Sequence, residues 1–190
     1  MTRNDGSERG TASADEAECS VCEQLRFEGP DTHTFDVVPA DGGGWSMWSA
    51  ALLRLLQRVG HEPTRAIIIT QPLLTERYVQ VLVGHGIAHA EVGSNVYLTG
   101  PSRLSADQEE LLALLGWQPP ASDVDDPGAM PANWTLPLVH GDWTYLTEMF
   151  ASTMIGILGF SEHLPVELHA FGADHPCREC SWSDAPGADG

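Results

Sequence analysis

The sequence contains no lysine, and all nine of its basic residues are arginine. There are 27 acidic residues, which give the 190-residue chain a formal net charge of −18. Proteins that bind nucleic-acid backbones or anionic membrane surfaces need clustered Lys or Arg to neutralise phosphate. We therefore expect neither a nucleic acid nor a membrane as a partner.

Long hydrophobic runs are missing as well. The longest apolar tract, around Met149 to Phe160, is interrupted by Ser152, Thr153 and two glycines and is too short to span a bilayer. The first eighteen residues are polar and lack the apolar segment of a signal peptide. These two features predict a cytoplasmic protein.

Familiar catalytic motifs are also absent. The sequence has no His-Glu-x-x-His zinc helix, no Gly-x-Ser-x-Gly nucleophile elbow and no Gly-Lys-Ser/Thr phosphate loop. His140 and Asp142, or one of the cysteines, would be the candidates in an enzyme of another type, but no nucleophile–base pair can be identified. We therefore predict that the protein is not an enzyme.

Composition divides the chain into three parts. Residues 1–24 form an acidic tail of small and polar residues, which we expect to be disordered. Residues 25–172 are expected to fold as one domain, since 42% of the chain is hydrophobic, which is enough for a core. Residues 173–190 form a second tail.

Three amphipathic helices are predicted from apolar residues at helical spacing. The first covers about residues 45–59 and the third about residues 142–158. A capping box from Ser105 to Gln108 marks the start of the second helix, and Gly116 occupies the position of a left-handed C-cap at its end.

Alternating apolar residues predict strands between these helices. The stretches RAIIIT, RYVQVLV and AHAEV are rich in apolar residues, and a short Gly84-His85-Gly86 turn joins the last two. Weaker strands are predicted near residues 134–139 and 164–171. Because runs of strands separate the helices, we predict a single α+β domain with about three helices packed on an antiparallel sheet.

The two faces of the RYVQVLV strand differ in character. One face carries only valines and the other carries larger or more polar side chains: Val79, Val81 and Val83 against Tyr78, Gln80 and Leu82. The valine face is the better core. The face that carries Tyr78 is then left for solvent or for a partner.

All four cysteines occur in Cys-x-x-Cys pairs, Cys19/Cys22 near the start of the chain and Cys177/Cys180 near its end. Two such pairs can bind one zinc ion through four thiolates. Zinc ribbons usually place their pairs closer together in sequence, although the ends of a domain often lie near each other. The pairs therefore suggest a zinc site that joins the two ends, a redox pair, or thiols without a function.

Five of the six tryptophans fall where an element is predicted to start or end: Trp45, Trp48, Trp117, Trp134 and Trp143. Such positions suit indole rings that close the ends of a core while their N–H groups reach polar partners at its rim. The alternative is a partly exposed aromatic groove for a peptide.

The part of the chain from about Trp45 to Phe171 resembles a known family. The segments that carry the resemblance are, in order, RYVQVLV, AEVGSNVYL, LSADQEELLALLGWQPP and NWTLPL, followed by an apolar helix. They resemble the TY-Chap proteins, domains of actinobacterial type related to type III secretion chaperones and to the YbjN family. The resemblance implies a compact α+β domain that binds peptides and has no enzymatic activity.

A protein or peptide client is the partner that this resemblance implies, and the negative charge of the chain favours a basic or amphipathic client. By analogy with secretion chaperones, a homodimer is also expected. We predict that the client contacts one sheet face and its neighbours: Tyr78, Gln80, Leu82, Glu91 and Asn95. The alternative function is a zinc-stabilised structural or regulatory module.

Overall fold

The computed structural model of the protein describes residues 32–62, 64–73, 76–120, 133–171 and 184–187. The predicted N-terminal tail, residues 1–24, lies outside the described residues. The strands are β1 (Thr32–Val37), β2 (Arg65–Thr70), β3 (Tyr78–Gly84), β4 (Ile87–Val92), β5 (Trp134–Thr135), β6 (Val139–His140) and β7 (Val166–Phe171). The helices are α1 (Gly44–Val59), α2 (Ala106–Leu115) and α3 (Trp143–Ala151), which continues directly into a π-helix (Ser152–Ile157).

All seven described strands belong to one sheet. Their order is β1-β7-β2-β3-β4-β5, with β6 pairing β4 beside β5, and every described pair is antiparallel. The predicted α+β domain with an antiparallel sheet and three helices is therefore confirmed.

The hairpin of β3 and β4 turns through two residues, His85 and Gly86. Both have positive φ, 54° and 80°, which is the conformation of the two central residues of a type I′ turn. The turn matches the right-handed twist of its strands, and the predicted hairpin is confirmed. It fixes the register in which Leu82 faces His89.

The helices begin and end close to the predicted positions. In α2, Ser105 Oγ accepts a hydrogen bond from Gln108 N at 3.2 Å, and Ser105 N donates to Gln108 Oε1 at 3.0 Å, which confirms the capping box. Gly116 ends this helix with a φ of 105°. The third helix spans the predicted range, but its last part is a π-helix.

Strand β1 has no counterpart among the predicted elements. Among the described strands it lies at the edge of the sheet and pairs with β7 alone, and its buried side chains are those of His33 and Phe35. A strand of six residues with so few buried apolar side chains gives a weak alternation signal. Pairing with β7, whose register partners are 129 to 139 positions away in sequence, specifies it instead.

The core lies between the sheet and helices α1 and α3. It includes the three valines of β3 together with leucines of α1 and with Leu146 and Phe150 of α3. Trp48, Trp117, Trp134 and Trp143 are all buried, and Trp45 packs against the core while partly exposed. These five tryptophans therefore close the core and do not line an exposed aromatic groove. The indole N–H groups of Trp48 and Trp134 do not reach the polar partners that were expected for them within the described part of the chain.

Both ends of the described domain lie at the same edge of the sheet. Thr32, the first residue of β1, is the register partner of Phe171, the last residue of β7. The short segment Asp184–Gly187 also returns to this edge, where Asp184 Oδ2 lies 2.7 Å from Arg58 Nη2 and Ala185 is buried. A Cβ at Gly187 would lie 2.9 Å from the Asp36 carbonyl oxygen, so the segment runs close to β1.

Candidate functional site

The sheet has one covered face and one open face. Side chains of the covered face belong to the core beneath α1 and α3. Among the described residues, no helix packs on the opposite face, whose side chains are half-buried or exposed. The open face is defined here by eight side chains: Ile68, Tyr78, Gln80, Leu82, His89, Glu91, Glu167 and His169.

Strand register arranges these side chains in rows. The middle row runs from β7 to β4 through His169, Ile68, Gln80 and Glu91. Leu82 and His89 lie in the row on one side, and Glu167 and Tyr78 lie in the row on the other. Four of the five residues predicted to contact a client thus share one continuous surface.

The carboxylate of Glu91 connects three segments of the chain. Its Oε2 accepts hydrogen bonds from Gln80 Nε2 at 2.6 Å and from Asn133 Nδ2 at 2.9 Å, while Oε1 lies 3.1 Å from His89 Nε2. Only 13% of the side chain is exposed. The group is therefore held in one position at the floor of the open face.

Hydrogen bonding keeps this carboxylate charged. Burial alone would raise the pKa of the Glu91 carboxyl, but the hydrogen bonds from Asn133, Gln80 and His89 together hold that pKa below its ordinary value. Glu91 is consequently ionised at neutral pH. It gives the open face a fixed negative charge.

Tyr78 lies beside Glu91 and shares Asn133 with it. The Tyr78 hydroxyl is 3.4 Å from Asn133 Oδ1. Burial, the largest cause, and the charge of Glu91 raise the pKa of the phenol, although the hydrogen bond to Asn133 opposes them. The phenol therefore stays protonated and donates its hydrogen bond.

The open face carries both apolar and acidic groups. Leu82 is 50% exposed, and Ile68 is half-buried one row away. Glu167 adds a second carboxylate, whose Oε2 lies 3.1 Å from His169 Nε2. None of the eight side chains is an arginine, so the surface combines apolar contact area with negative charge.

Asn95, the fifth predicted contact residue, serves a different contact. Its Oδ1 accepts a hydrogen bond from Leu104 N at 2.7 Å, and its Nδ2 donates to Leu104 O at 2.9 Å and to Glu109 Oε1 at 3.0 Å. The amide thus fastens the loop after β4 to the start of α2. The structure does not bring Asn95 into the network around Glu91.

Asn133 belongs to that network but is missing from the predicted contact residues. It lies 42 positions after Glu91, at the start of the segment that leads into β5. Its Oδ1 also accepts a hydrogen bond from Ser94 N at 3.3 Å. The resemblance included the NW pair, but no local pattern could indicate which side chain Asn133 contacts.

The other candidate groups from the sequence do not form a described site. The four proposed zinc ligands, Cys19, Cys22, Cys177 and Cys180, lie outside the described residues. Within the described ranges, no group of three or more His, Cys, Asp or Glu side chains is placed to hold a metal ion. Asp142 caps α3 by accepting a hydrogen bond from Tyr145 N at 3.0 Å, and His140 is exposed on β6.

Comparison with protein families identifies the domain. A family model described as "T3SS (YopN, CesT) and YbjN peptide-binding chaperone 3", or TY-Chap3, matches residues 39–174, well over half of the chain. The chain belongs to the TY-Chap3 family. No curated protein and no solved structure matches it.

The TY-Chap3 match contains the whole open face. It covers β2 to β7 and all three helices, whereas β1 lies before it and Asp184–Gly187 lies after it. The resemblance stated from the sequence is confirmed. Membership of the TY-Chap3 family indicates a peptide-binding chaperone role and supports a protein or peptide as the client.

Proposed function

We propose that the protein is a non-enzymatic chaperone or adaptor that binds client segments on the open face of its sheet. A single observation carries this proposal. One face of the sheet has exposed and half-buried apolar side chains next to a rigid, ionised carboxylate, and no described helix covers it. In a peptide-binding family, such a face is the surface best suited to hold another chain.

The chemistry of the face supports a basic or amphipathic client. Leu82 and Ile68 offer apolar contact area, while Glu91 and Glu167 offer negative charge. A client with apolar side chains next to arginine or lysine would bury the first and pair the second. Three hydrogen bonds already hold Glu91 in place, so ordering this side chain on binding would cost little.

The test compares two exposed leucines in affinity capture from native lysate, with identification of the bound peptides. Leu82→Asp places a charge in the middle of the open face. Leu73→Asp makes the same change at a leucine that is 71% exposed and outside this face. We expect Leu82→Asp to lose the captured clients and Leu73→Asp to keep them, with unchanged circular dichroism for both variants.

Two results would contradict the proposal. If Leu82→Asp captures the same peptides as the unmodified protein, the open face is not the binding surface. If the captured segments are neither basic nor amphipathic, the charge argument is wrong even if the face is correct.

A second candidate function is the zinc-stabilised module. It is favoured by the positions of the start of β1 and the end of β7. Thr32 and Phe171 are register partners, so the two segments that contain the cysteine pairs leave the sheet side by side. Cys22 precedes Thr32 by ten positions, and Cys177 follows Phe171 by six. An extended chain spans roughly 3.3–3.6 Å per residue, so these two connecting segments are long enough for the two cysteine pairs to meet.

Metal analysis of protein purified without chelator tests the zinc proposal. We expect one zinc ion per chain, lost in Cys177→Ser together with a lower thermal midpoint. Absence of bound zinc from the unmodified protein would dismiss it. This proposal and peptide binding are independent, because the cysteines lie outside the open face in sequence.

Two expectations about the surroundings of the protein stay predictions. The homodimer rests on analogy with secretion chaperones, and light scattering in solution tests it. For the cytoplasmic location, the structure adds that none of its described helices is long and apolar enough to cross a membrane. Cell fractionation tests that location.

A further inference from the structure

Helix α2 has apolar side chains on two sides. Leu112 is fully buried in the core, whereas Leu111 is 45% exposed and Leu114 is 76% exposed. Leu111, Leu114 and Leu115 are spaced i, i+3 and i+4, so they share one side of the helix. Leu115 is partly buried and packs against the core. A surface helix normally needs only one apolar side, so the exposure of Leu111 and Leu114 is not explained by the core.

The π-helix after α3 forms the other wall of a groove beside these leucines. The groove has a volume of about 300 Å³ and is lined by Leu111, Leu114, Leu115, Ser152, Gly156 and Ile157. Gly156, which lines the groove, leaves free space at its own position, because a Cβ there would meet no atom within 4 Å. Ile155, which is 40% exposed, adds an apolar side chain on the same π-helix.

Two hydrogen bonds hold the walls of the groove together. The side chain of Gln108, in the first turn of α2, donates to the Ile157 carbonyl oxygen. Trp117, just after α2, donates from Nε1 to Thr153 Oγ1 at 2.9 Å. The groove is therefore formed before any partner arrives, which lowers the entropy cost of binding.

On the helices that form the two walls of the groove, every charged side chain is acidic. Helices α2 and α3 and the π-helix contain no arginine, and the chain has no lysine. Asp107 and Glu110 are exposed one helical turn before Leu111 and Leu114, and Glu148 is exposed one turn before Ser152. The apolar groove thus has carboxylates at its rim on both walls.

We propose that this groove is a second client site, which takes a helical segment with large apolar side chains on one side and arginine or lysine beside them. The proposal rests on the proposed chaperone function and adds a site separate from the open face. Charge selects this occupant over a second copy of the chain. Two copies that met through this groove would bring their carboxylate rims together, and like charges facing each other oppose association.

The probe is a fluorescein-labelled synthetic peptide of about 14 residues with leucines at i, i+3, i+4 and i+7 and lysines elsewhere. A second peptide has glutamate in place of lysine, and a third has the same composition as the first in scrambled order. Fluorescence anisotropy measures binding. We expect the lysine peptide alone to bind the unmodified protein, because it alone matches both the leucines and the carboxylates.

Substitutions at Gly156 provide a matched pair of variants. Gly156→Ala adds a methyl group, for which there is open space at this position. Gly156→Leu adds a larger side chain at a residue that lines the groove, and so reduces the volume left for a partner. We expect Gly156→Leu to weaken binding of the lysine peptide by about tenfold or more, and Gly156→Ala to bind nearly as well as the unmodified protein. Thermal unfolding checks that neither variant loses its fold.

Glu110→Arg tests the charge argument separately. It should weaken binding of the lysine peptide and strengthen binding of the glutamate peptide, because it changes the sign of one rim position without touching the leucines. Equal binding of the scrambled and ordered lysine peptides would show attraction to the acidic chain as a whole and would overturn the proposal.

Leu82→Asp separates the two sites. The lysine peptide also has the composition proposed for clients of the open face, so the effect of Gly156→Leu is measured in the Leu82→Asp background as well. We expect the same loss of affinity there, about tenfold or more; an affinity that depends on Leu82 and not on Gly156 overturns the groove while the open face stands. If the ordered lysine peptide does not bind at all, but client capture from lysate is lost in Leu82→Asp, the groove is not a client site and the proposed chaperone function stands. If light scattering shows a dimer that Gly156→Leu converts to a monomer, a second copy occupies the groove and the proposal is wrong.

Discussion

The ring of Tyr78 lies so close to Gly93 that a Cβ at position 93 would be 2.7 Å from the ring atom Cε1. The backbones of the two residues also meet, since Gly93 N donates a hydrogen bond to the Tyr78 carbonyl oxygen at 3.2 Å. Gly93 is not among the residues with positive φ, so this glycine is needed for space and not for its backbone conformation. The position of Tyr78 on the open face therefore depends on the missing side chain at Gly93.

We expect Gly93→Ala to destabilise the protein by about 1–3 kcal/mol, because the ring or the strand must move to make room for the methyl group. Urea unfolding measures the change. Gly156→Ala is the matched control, since its Cβ meets no atom within 4 Å and alanine is the better helix former. A stability of Gly93→Ala equal to that of the unmodified protein would contradict the contact between Tyr78 and Gly93.

Stability at acid pH should depend on Glu91. The folded-state pKa of this carboxyl lies below the unfolded value of 4.5, so its contribution to the free energy of unfolding is complete above that pH. The contribution is lost as the pH falls through the lower, folded-state pKa. We expect unfolding curves to show that the unmodified protein loses more stability than Glu91→Gln over this acid range.

Removal of one hydrogen-bond donor provides the control for this experiment. Asn133→Ala takes away the bond from Nδ2 to Glu91 Oε2, which is one of the bonds that lower the pKa. We therefore compare Asn133→Ala with the double variant Asn133→Ala/Glu91→Gln. The difference between these two in stability lost at acid pH should be smaller than the difference between the unmodified protein and Glu91→Gln. An unchanged difference would mean that Asn133 does not stabilise the ionised carboxylate.

Local patterns predicted the faces of the sheet correctly. Val79, Val81 and Val83 are buried and Leu82 is exposed, as the alternation along this strand indicates. The reason is physical: successive side chains of a strand point to opposite faces, so an uneven distribution of apolar residues selects the side that packs on the helices. The capping box of α2 and the short hairpin turn at residues 84–86 were predicted as well, because each depends on residues that are neighbours in sequence.

Contacts between distant segments could not be predicted in this way. Strand β1 and the Asn133 network are each defined by a partner tens of residues away, and the π-helix is held by Gln108 and Trp117 from another element. Sequence periodicity carries no information about which distant side chain will accept a given hydrogen bond. The role of Asn95 was missed for the same reason, because its partners lie at the start of α2.

Arg77 binds three backbone carbonyl groups in two distant segments, and we expect that lysine cannot replace it. Its guanidinium donates from Nε to Ser102 O at 2.9 Å, from Nη1 to Leu158 O at 3.0 Å and from Nη2 to Arg103 O at 2.9 Å. A single ammonium group cannot reproduce this fork of donors. We expect Arg77→Lys to lower the free energy of unfolding by about 2–4 kcal/mol in urea titration.

The control for this change is Arg54→Lys on the exposed side of α1. Substitutions at exposed positions usually change stability by about 0.5 kcal/mol or less. Similar losses in Arg77→Lys and Arg54→Lys would show that the three carbonyl contacts contribute little.

The hydrogen bond between Trp117 and Thr153 should stabilise the π-helix. Thr153 is fully buried, and its hydroxyl accepts the indole N–H at 2.9 Å. Thr153→Val keeps the shape of the side chain but leaves the indole donor buried without this partner, which costs about 1–3 kcal/mol.

Thr147→Val is the matched control, because the Thr147 hydroxyl only donates to the Trp143 carbonyl within its own helix. Urea unfolding should show a clear loss for Thr153→Val and little change for Thr147→Val, and amide hydrogen exchange of Ser152–Ile157 should become faster only in the first variant. Equal exchange rates in the two variants would mean that other contacts hold the π-helix in place.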